Sequence, residues 1–272
     1  MRRPRHARSL AVTVALLLAL SACAGHSAKS GKLRNVEQVA PDYDFRDSSQ
    51  VKACYALQEQ LGLAGNRLSG GDLAGAEEHA RKALALAPES VQAHTLLVVV
   101  AGRRGDAATA GEHYRKAAEL APNRGETLNN YGAWLCANGA AAESLQWFDR
   151  ALAAPSYATP ASALANAGGC ALQIGQRERG GRDLRKALAL QPDNAYPLEA
   201  MAREEAAQTR FFEARVFSEW RLAAAPATAS VLQFSIRIEQ GLGDMAAAGR
   251  YQQSLRKEFA DAATTTPGAS AL

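Results

Sequence analysis

The sequence predicts an all-α protein built from about six repeated pairs of antiparallel helices, and three observations support this prediction. Prolines recur 34 residues apart, from Pro88 to Pro122 and again from Pro192 to Pro226. Small residues recur in the same phase at fixed places in each unit, and glycine recurs at the turn between the two helices. A period of 34 residues is that of the tetratricopeptide repeat (TPR), whose units stack into a superhelical solenoid.

Residues 1–22 are predicted to be a signal peptide. Four arginines precede an apolar run from Leu10 to Leu20, which is too short to span a bilayer as a helix. The run ends in Leu20-Ser21-Ala22-Cys23, which resembles a bacterial lipobox, and in a lipobox the cysteine receives lipid and becomes the first residue after cleavage. We therefore expect lipidation at Cys23. The alternative is an ordinary signal peptide that contains a cysteine.

Residues 23–50 are predicted to be a lipidated flexible tether. They are polar, and no helical period is sustained over them. A flexible chain of about 25 residues has an end-to-end distance of roughly 25–30 Å. Ala24 stands where an aspartate favours retention in the inner membrane of bacteria, so we expect a lipid anchor in the inner leaflet of the outer membrane, facing the periplasm.

The formal net charge of +4 comes from the first 22 residues. Without their four arginines, 27 basic residues remain against 27 acidic ones. The neutral remainder gives no support for nucleic-acid binding.

The TPR array is predicted over residues 51–260, and a disordered tail over residues 261–272. The repeats lie near 57–90, 91–124, 125–158, 161–194, 195–228 and 229–260, with two extra residues in the connection Ala154–Pro160. The residue at the helix crossing (position 8) is mostly small: Ala64, Val98, Gly132, Gly168, Ala202 and Ile236. Thr209 alone replaces the turn glycine. The alternative, a generic alanine-rich bundle, does not require this phase.

An apolar binding groove is predicted in repeats one and two. The first helix of each TPR unit lines the concave surface, and Leu61, Leu68, Leu96 and Val99 are apolar there beyond the needs of packing. Such a surplus often marks a binding site. The alternative is that the tether or residues 51–56 cover this strip.

Asparagines are predicted to extend the groove into repeats three and four. Asn130 and Asn166 occupy the same position of their repeats, where an amide can donate to and accept from a peptide backbone. Asparagine is also common at this position in repeats of generic function, so the pattern leaves both readings open.

Two segments, together with the lipobox, carry a family resemblance. Leu128–Cys136 reads LNNYGAWLC and Ile236–Asp244 reads IRIEQGLGD. With them the chain resembles the type IV pilus biogenesis and stability lipoproteins, the PilF/PilW pilotin family. The resemblance implies a pilotin that brings secretin subunits to the outer membrane and promotes their multimerisation, in support of pilus assembly and twitching motility.

A disulfide between Cys136 and Cys170 is implied by this resemblance. The two residues lie 34 apart on the first helices of adjacent repeats, and the oxidising periplasm favours a bridge between them. Two buried free thiols are the alternative. Cys54 then has no partner.

No enzyme and no metal site are predicted. His79 and His113 also lie 34 apart, but the repeat explains that spacing. Catalytic triads and phosphate-binding loops have no counterpart in the sequence. We expect no cofactor other than the covalent lipid on Cys23. The alternative function is a TPR scaffold lipoprotein of another envelope machine, such as peptidoglycan synthesis or outer-membrane protein insertion.

Overall fold

The computed structural model describes residues 48–260, which form six antiparallel helix pairs without a strand in that range. The predicted all-α TPR solenoid is therefore confirmed. The first helices of the pairs, here called A helices, are α1 (Ser49–Ser69), α3 (Val91–Arg103), α5 (Gly125–Ala137), α7 (Pro160–Gln173), α9 (Ala195–Ala207) and α11 (Ala229–Gly241). The second helices, here called B helices, are α2 (Leu73–Leu86), α4 (Ala107–Leu120), α6 (Ala141–Ala153), α8 (Arg177–Leu190), α10 (Phe211–Ala224) and α12 (Met245–Glu258).

The turn inside each pair has the same hydrogen bond in all six repeats. In repeat one the amide of Asp72 donates to the carbonyl of Arg67 at 2.9 Å, five residues back, and the other repeats repeat this bond at 2.8–2.9 Å. This is the Schellman end of a helix, which needs one residue with positive φ. Glycine supplies it in five repeats, at φ between 74° and 87°, and Thr209 supplies it in repeat five at φ 57°.

Close approach of the two helices explains the small residues of the pattern. A Cβ atom on Gly168 of α7 would lie 3.0 Å from the carbonyl oxygen of Gly180 on α8, and 2.7 Å from Leu184. A larger side chain therefore forces the pair apart. Buried apolar side chains gather in local clusters of neighbouring helices, such as the one around Phe148, as expected for a solenoid.

Proline marks the end of the B helices. The helices α2, α4, α8 and α10 each end two residues before a proline of the 34-residue series, because proline disfavours the helical conformation of the residue before it. The connection between α6 and α7 is longer than the others, and Ser156 has a φ of 58° in it. Tyr157 of this connection packs over Gly125, where a Cβ would lie 2.4 Å from the ring.

Helix α1 begins earlier than the sequence predicts. The Ser48 hydroxyl accepts a hydrogen bond from the amide of Val51, and the helix runs from Ser49, whereas the first repeat is predicted to start near residue 57 and the tether to reach residue 50. The extra turns point into solvent, with Tyr55 66% exposed. Residues 51–56 are therefore helical and do not fold over the predicted groove.

No helix in residues 48–260 has the length and apolar character needed to cross a membrane. The predicted signal peptide (1–22), the lipidated Cys23, most of the tether and the tail (261–272) lie outside the described residues.

Candidate functional site

The A helices form one layer of the solenoid. Neighbouring A helices contact each other in repeats one and two, in repeats three and four, and in repeats four and five. In a TPR stack this layer is the concave surface on which partners bind. A partner-binding site is therefore expected among the outward residues of the A helices.

The predicted apolar groove is wrong for Leu61 and Leu68. Leu61 is 4% exposed and Leu68 is 9% exposed, so neither offers a surface to a partner. Leu61 lies in a cluster with Ala93 of α3, and Leu68 lies in a cluster with Val100 of the same helix. These positions face the next A helix, and the small Ala93 lets that helix come close enough to cover them.

Only part of the predicted apolar strip is accessible, at Leu96 and Val99. Leu96 is half-buried and packs against three clusters of repeats one and two. Val99 is 38% exposed, while the adjacent Val98 and Leu97 are buried as the sequence predicts. The apolar surface of the N-terminal repeats is therefore a small patch around Val99.

The two asparagines lie in different surroundings. Asn130 is exposed on α5. Asn166 is half-buried on α7, and its Nδ2 donates to Oδ1 of Asn129 at 3.0 Å. Part of the Asn166 amide is thus engaged by the neighbouring repeat, and Asn130 is the more accessible of the two.

A pocket that the sequence does not predict lies between α7 and α9, on the A-helix layer. Its volume is about 430 Å³. All its lining residues belong to these two helices: Gly169, Leu172, Gln173, Tyr196, Glu199, Ala200, Arg203, Glu204 and Ala207. The lining is mostly apolar, and Glu199, Arg203 and Glu204 are its charged residues, which is the usual composition of a ligand site.

Tyr196 forms one wall of this pocket because Gly169 leaves room for it. A Cβ on Gly169 would lie 1.9 Å from the Tyr196 hydroxyl oxygen, so no other residue type fits there without moving the ring. Burial of this hydroxyl raises the pKa of Tyr196 above its ordinary value. Tyr196 as a whole residue remains 48% exposed.

Two arginines lie over one phenylalanine beside the pocket. The guanidinium carbon of Arg203 is 4.7 Å from the centre of the Phe234 ring, and that of Arg237 is 5.3 Å from it. Both distances are within the range of cation–π attraction. Phe234 is 9% exposed, and it packs on its other side in a cluster with Ala202, Ala214 and Ile238.

The carboxylates at the pocket already have partners. Oε1 of Glu199 accepts from Nη2 of Arg203 at 2.7 Å, and Oε2 lies 3.5 Å from Nε of Arg221. Glu204 lies 3.3 Å from Nε of Arg177. Within residues 48–260, Arg237 has no carboxylate within ion-pair distance.

The sequence carries a signal for this arrangement in the charged residues of repeats five and six. Glu199, Arg203 and Arg237 occupy outward positions of helix A, where most other repeats carry small or uncharged residues. Surplus apolar residues point to repeats one and two, whereas the charged residues lie beside the pocket between α7 and α9.

Cys136 and Cys170 are brought together on the A helices of repeats three and four. Their sulfur atoms are 2.02 Å apart and their Cα atoms 5.9 Å apart, as a disulfide. In the chain-entropy model a cross-link that closes a loop of 34 residues contributes about 4 kcal/mol to the free energy of unfolding. Cys54 is a free, exposed cysteine on α1.

His79 and His113, which lie 34 residues apart, do not contact each other, and each pairs with a residue of its own repeat. Nδ1 of His79 lies 2.8 Å from Oε1 of Gln60, and one repeat later Nδ1 of His113 lies 3.0 Å from Nδ1 of His94. Burial lowers the pKa of both His94 and His113, and the charge of His94 lowers that of His113 further. Residues 48–260 contain no cluster of three or more potential metal ligands.

Repeat five also carries exposed aromatic residues on its B helix. Phe212 is 66% exposed and Trp220 is 56% exposed. Trp220 meets Phe217 edge to face, with ring centres 5.8 Å apart. Phe211, the residue before Phe212, packs instead over Gly241 of α11.

Comparison with solved structures supports one protein class. PilW, a widely conserved type IV pilus biogenesis factor, is 28% identical, with a TM-score of 0.69 over 75% of this chain and 94% of PilW. The chain resembles PilW in sequence and fold. The predicted resemblance is thus confirmed, and it supports a TPR-repeat protein of type IV pilus biogenesis.

Two further structures share the fold. PilF of Pseudomonas aeruginosa is 24% identical, with a TM-score of 0.67 over 77% of this chain and 95% of PilF. A TPR protein from Parabacteroides merdae is 17% identical, with a TM-score of 0.62 over 75% of this chain and 80% of the Parabacteroides chain. No protein-family model and no curated protein matches the chain. The fold that they share with this chain, the TPR solenoid, is one used for protein–protein contact.

Proposed function

We propose that this protein is an outer-membrane lipoprotein pilotin of type IV pilus biogenesis, which binds secretin subunits and promotes their localisation and multimerisation. The observation that carries the proposal is the likeness to PilW, at 28% identity over 94% of that chain. The lipobox pattern at Leu20–Cys23 adds a route to the membrane.

The proposed mechanism uses binding and no chemistry. The lipid on Cys23 holds the protein at the inner leaflet of the outer membrane, and the tether lets the TPR array move within a limited distance of it. The array binds a segment of a secretin subunit on its concave surface. Holding many subunits near one surface raises their effective concentration, which favours their assembly into a multimer.

Deletion of the gene tests the proposal. Secretin multimers that resist detergent and pili on the cell surface are scored in the deletion strain, and in the same strain carrying the wild-type gene or a Cys23→Ser variant. We expect the deletion to abolish multimers and pili, the wild-type gene to restore them, and Cys23→Ser to leave secretin away from the outer membrane.

Undiminished multimers in the deletion strain would contradict the pilotin assignment. If the same strain shows altered peptidoglycan or impaired outer-membrane protein insertion instead, the result favours a TPR scaffold of another envelope machine.

A further inference from the structure

We propose that the concave surface of repeats four to six binds an acidic segment of a partner protein, with one bulky apolar side chain in the pocket between α7 and α9 and a neighbouring carboxylate on Arg237. This site replaces the apolar strip of repeats one and two. Its assignment to a secretin segment rests on the proposed function, whereas the ligand chemistry does not.

The pocket fits a bulky apolar side chain. Its volume of about 430 Å³ lies within the roughly 300–1,000 Å³ of ligand pockets. Leu172, Ala200 and Ala207 supply aliphatic surface, and the Tyr196 ring closes one side. The Tyr196 ring is held by contact of its hydroxyl with Gly169, so the cavity exists before a ligand enters and little ordering is needed on binding.

Among the arginines at this surface of residues 48–260, Arg237 is the one without a carboxylate partner. Arg203 directs both Nε and Nη2 to Oε1 of Glu199, at 3.2 and 2.7 Å, so its edge is occupied. Arg237 contacts only the Phe234 ring among the contacts described for residues 48–260. A guanidinium stacked on a ring keeps its N–H edge free to bind a carboxylate with two parallel hydrogen bonds.

The charge of this surface also selects an acidic partner. Three solvent-accessible arginines lie at or next to the pocket, Arg177, Arg203 and Arg237, against the two glutamates Glu199 and Glu204, and the buried Arg221 also pairs with Glu199. The excess of positive charge attracts acidic segments and repels basic ones. At the positions that Glu199, Arg203 and Arg237 occupy, repeats one and two have uncharged residues: Leu61, Thr95, Gly65 and Val99.

A binding experiment tests the ligand chemistry directly. The full-length chain in detergent is titrated with a short fluorescent peptide that has one phenylalanine flanked by aspartates. Matched peptides replace the phenylalanine with serine or the aspartates with lysines. We expect the acidic phenylalanine peptide to bind at least about tenfold more tightly than either matched peptide, given the strength of charged hydrogen bonds.

Variants of the chain place the peptide on this surface. Arg237→Glu reverses the charge at an exposed position, and Ala207→Phe fills the pocket from the exposed end of α9. Each is expected to weaken binding by about tenfold or more. Arg256→Glu on α12 is the control, since it makes the same charge change on a B helix. Peptide affinity that Arg237→Glu and Ala207→Phe leave unchanged, or absence of any preference for the acidic peptide, overturns the proposal.

The same variants, returned to the deletion strain, test the assignment to secretin. We expect Arg237→Glu and Ala207→Phe to lose secretin multimers and Arg256→Glu to retain them. If deletion abolishes multimers and Arg237→Glu restores them fully at normal protein levels, the secretin assignment of this site fails while the pilotin proposal stands. If deletion itself has no effect, the pilotin proposal fails and the peptide titration alone decides the site.

Discussion

The two ends of the array use the same repeat positions in opposite ways. Leu61 of repeat one stands where Gln233 stands in repeat six, and Gly65 stands where Arg237 stands. At the N-terminal end the small Ala93 lets α3 approach α1, and Leu61 and Leu68 are buried in the core between the two helices. At the C-terminal end long side chains occupy the surface, and Arg203 and Arg237 lie over Phe234. A position in a repeat therefore fixes the direction of a side chain, whereas the neighbouring repeat decides whether it is exposed.

The largest effect is expected from truncation of Leu61. Leu61→Ala removes a buried side chain next to Ala93 and should lower the free energy of unfolding by about 3 kcal/mol. Val99→Ala, at the exposed remainder of the strip, should change it by no more than about 0.5 kcal/mol. Urea unfolding followed by circular dichroism measures both. Equal, small effects would mean that Leu61 belongs to an open groove after all, and the contrast between the two ends would disappear.

A smaller effect, confined to the N-terminal repeats, is expected from pH. The pKa values of His94 and His113 are lowered in the folded protein from an ordinary value of 6.5. Below pH 6.5 the unfolded chain takes up protons that the folded chain does not, so stability is full above pH 6.5 and is lost as the pH falls through the lowered pKa values. The loss approaches about 1.4 kcal/mol per pH unit for each proton.

His94→Gln supplies the matched variant for this test, because it gives repeat two the glutamine–histidine pair that repeat one has at Gln60 and His79. Thermal unfolding between pH 5 and 7.5 should show a shallower dependence in the variant than in the wild type. Identical slopes would place the titrating groups elsewhere.

The smallest effect is a gain in stability in repeat five. Thr209 has a φ of 57° at the turn where five other repeats have glycine. A side chain with a Cβ is disfavoured in this conformation by roughly 1–2 kcal/mol, so Thr209→Gly should raise the free energy of unfolding by about 1 kcal/mol, less the entropy that glycine adds to the unfolded chain.

The reverse change, Gly175→Thr in repeat four, is the control and should destabilise by a similar amount. Denaturant midpoints of the two variants are compared with the wild type. Destabilisation by Thr209→Gly would show that the threonine contributes more through its contacts than it loses through its backbone.

The fold was predictable because helix crossings recur at a fixed spacing. The contact of Gly168 with Gly180, the turn at Gly175 and the helix ends before proline all depend on residues close in sequence. The site was less predictable, since the pocket forms where Tyr196 of one repeat lies on Gly169 of the previous one. Asn166 shows the same limit, because its amide is engaged by Asn129 of another repeat. Lipidation at Cys23 stays a prediction.

The cross-link between Cys136 and Cys170 encloses the lengthened connection between α6 and α7, including the exposed Ser156. A protease that cuts at this exposed connection would produce two polypeptides but not two separate molecules. The halves would stay joined by the sulfur bridge and by the contacts between the helices on each side. Repeats five and six would thus remain attached to the N-terminal repeats until a reductant opened the bond.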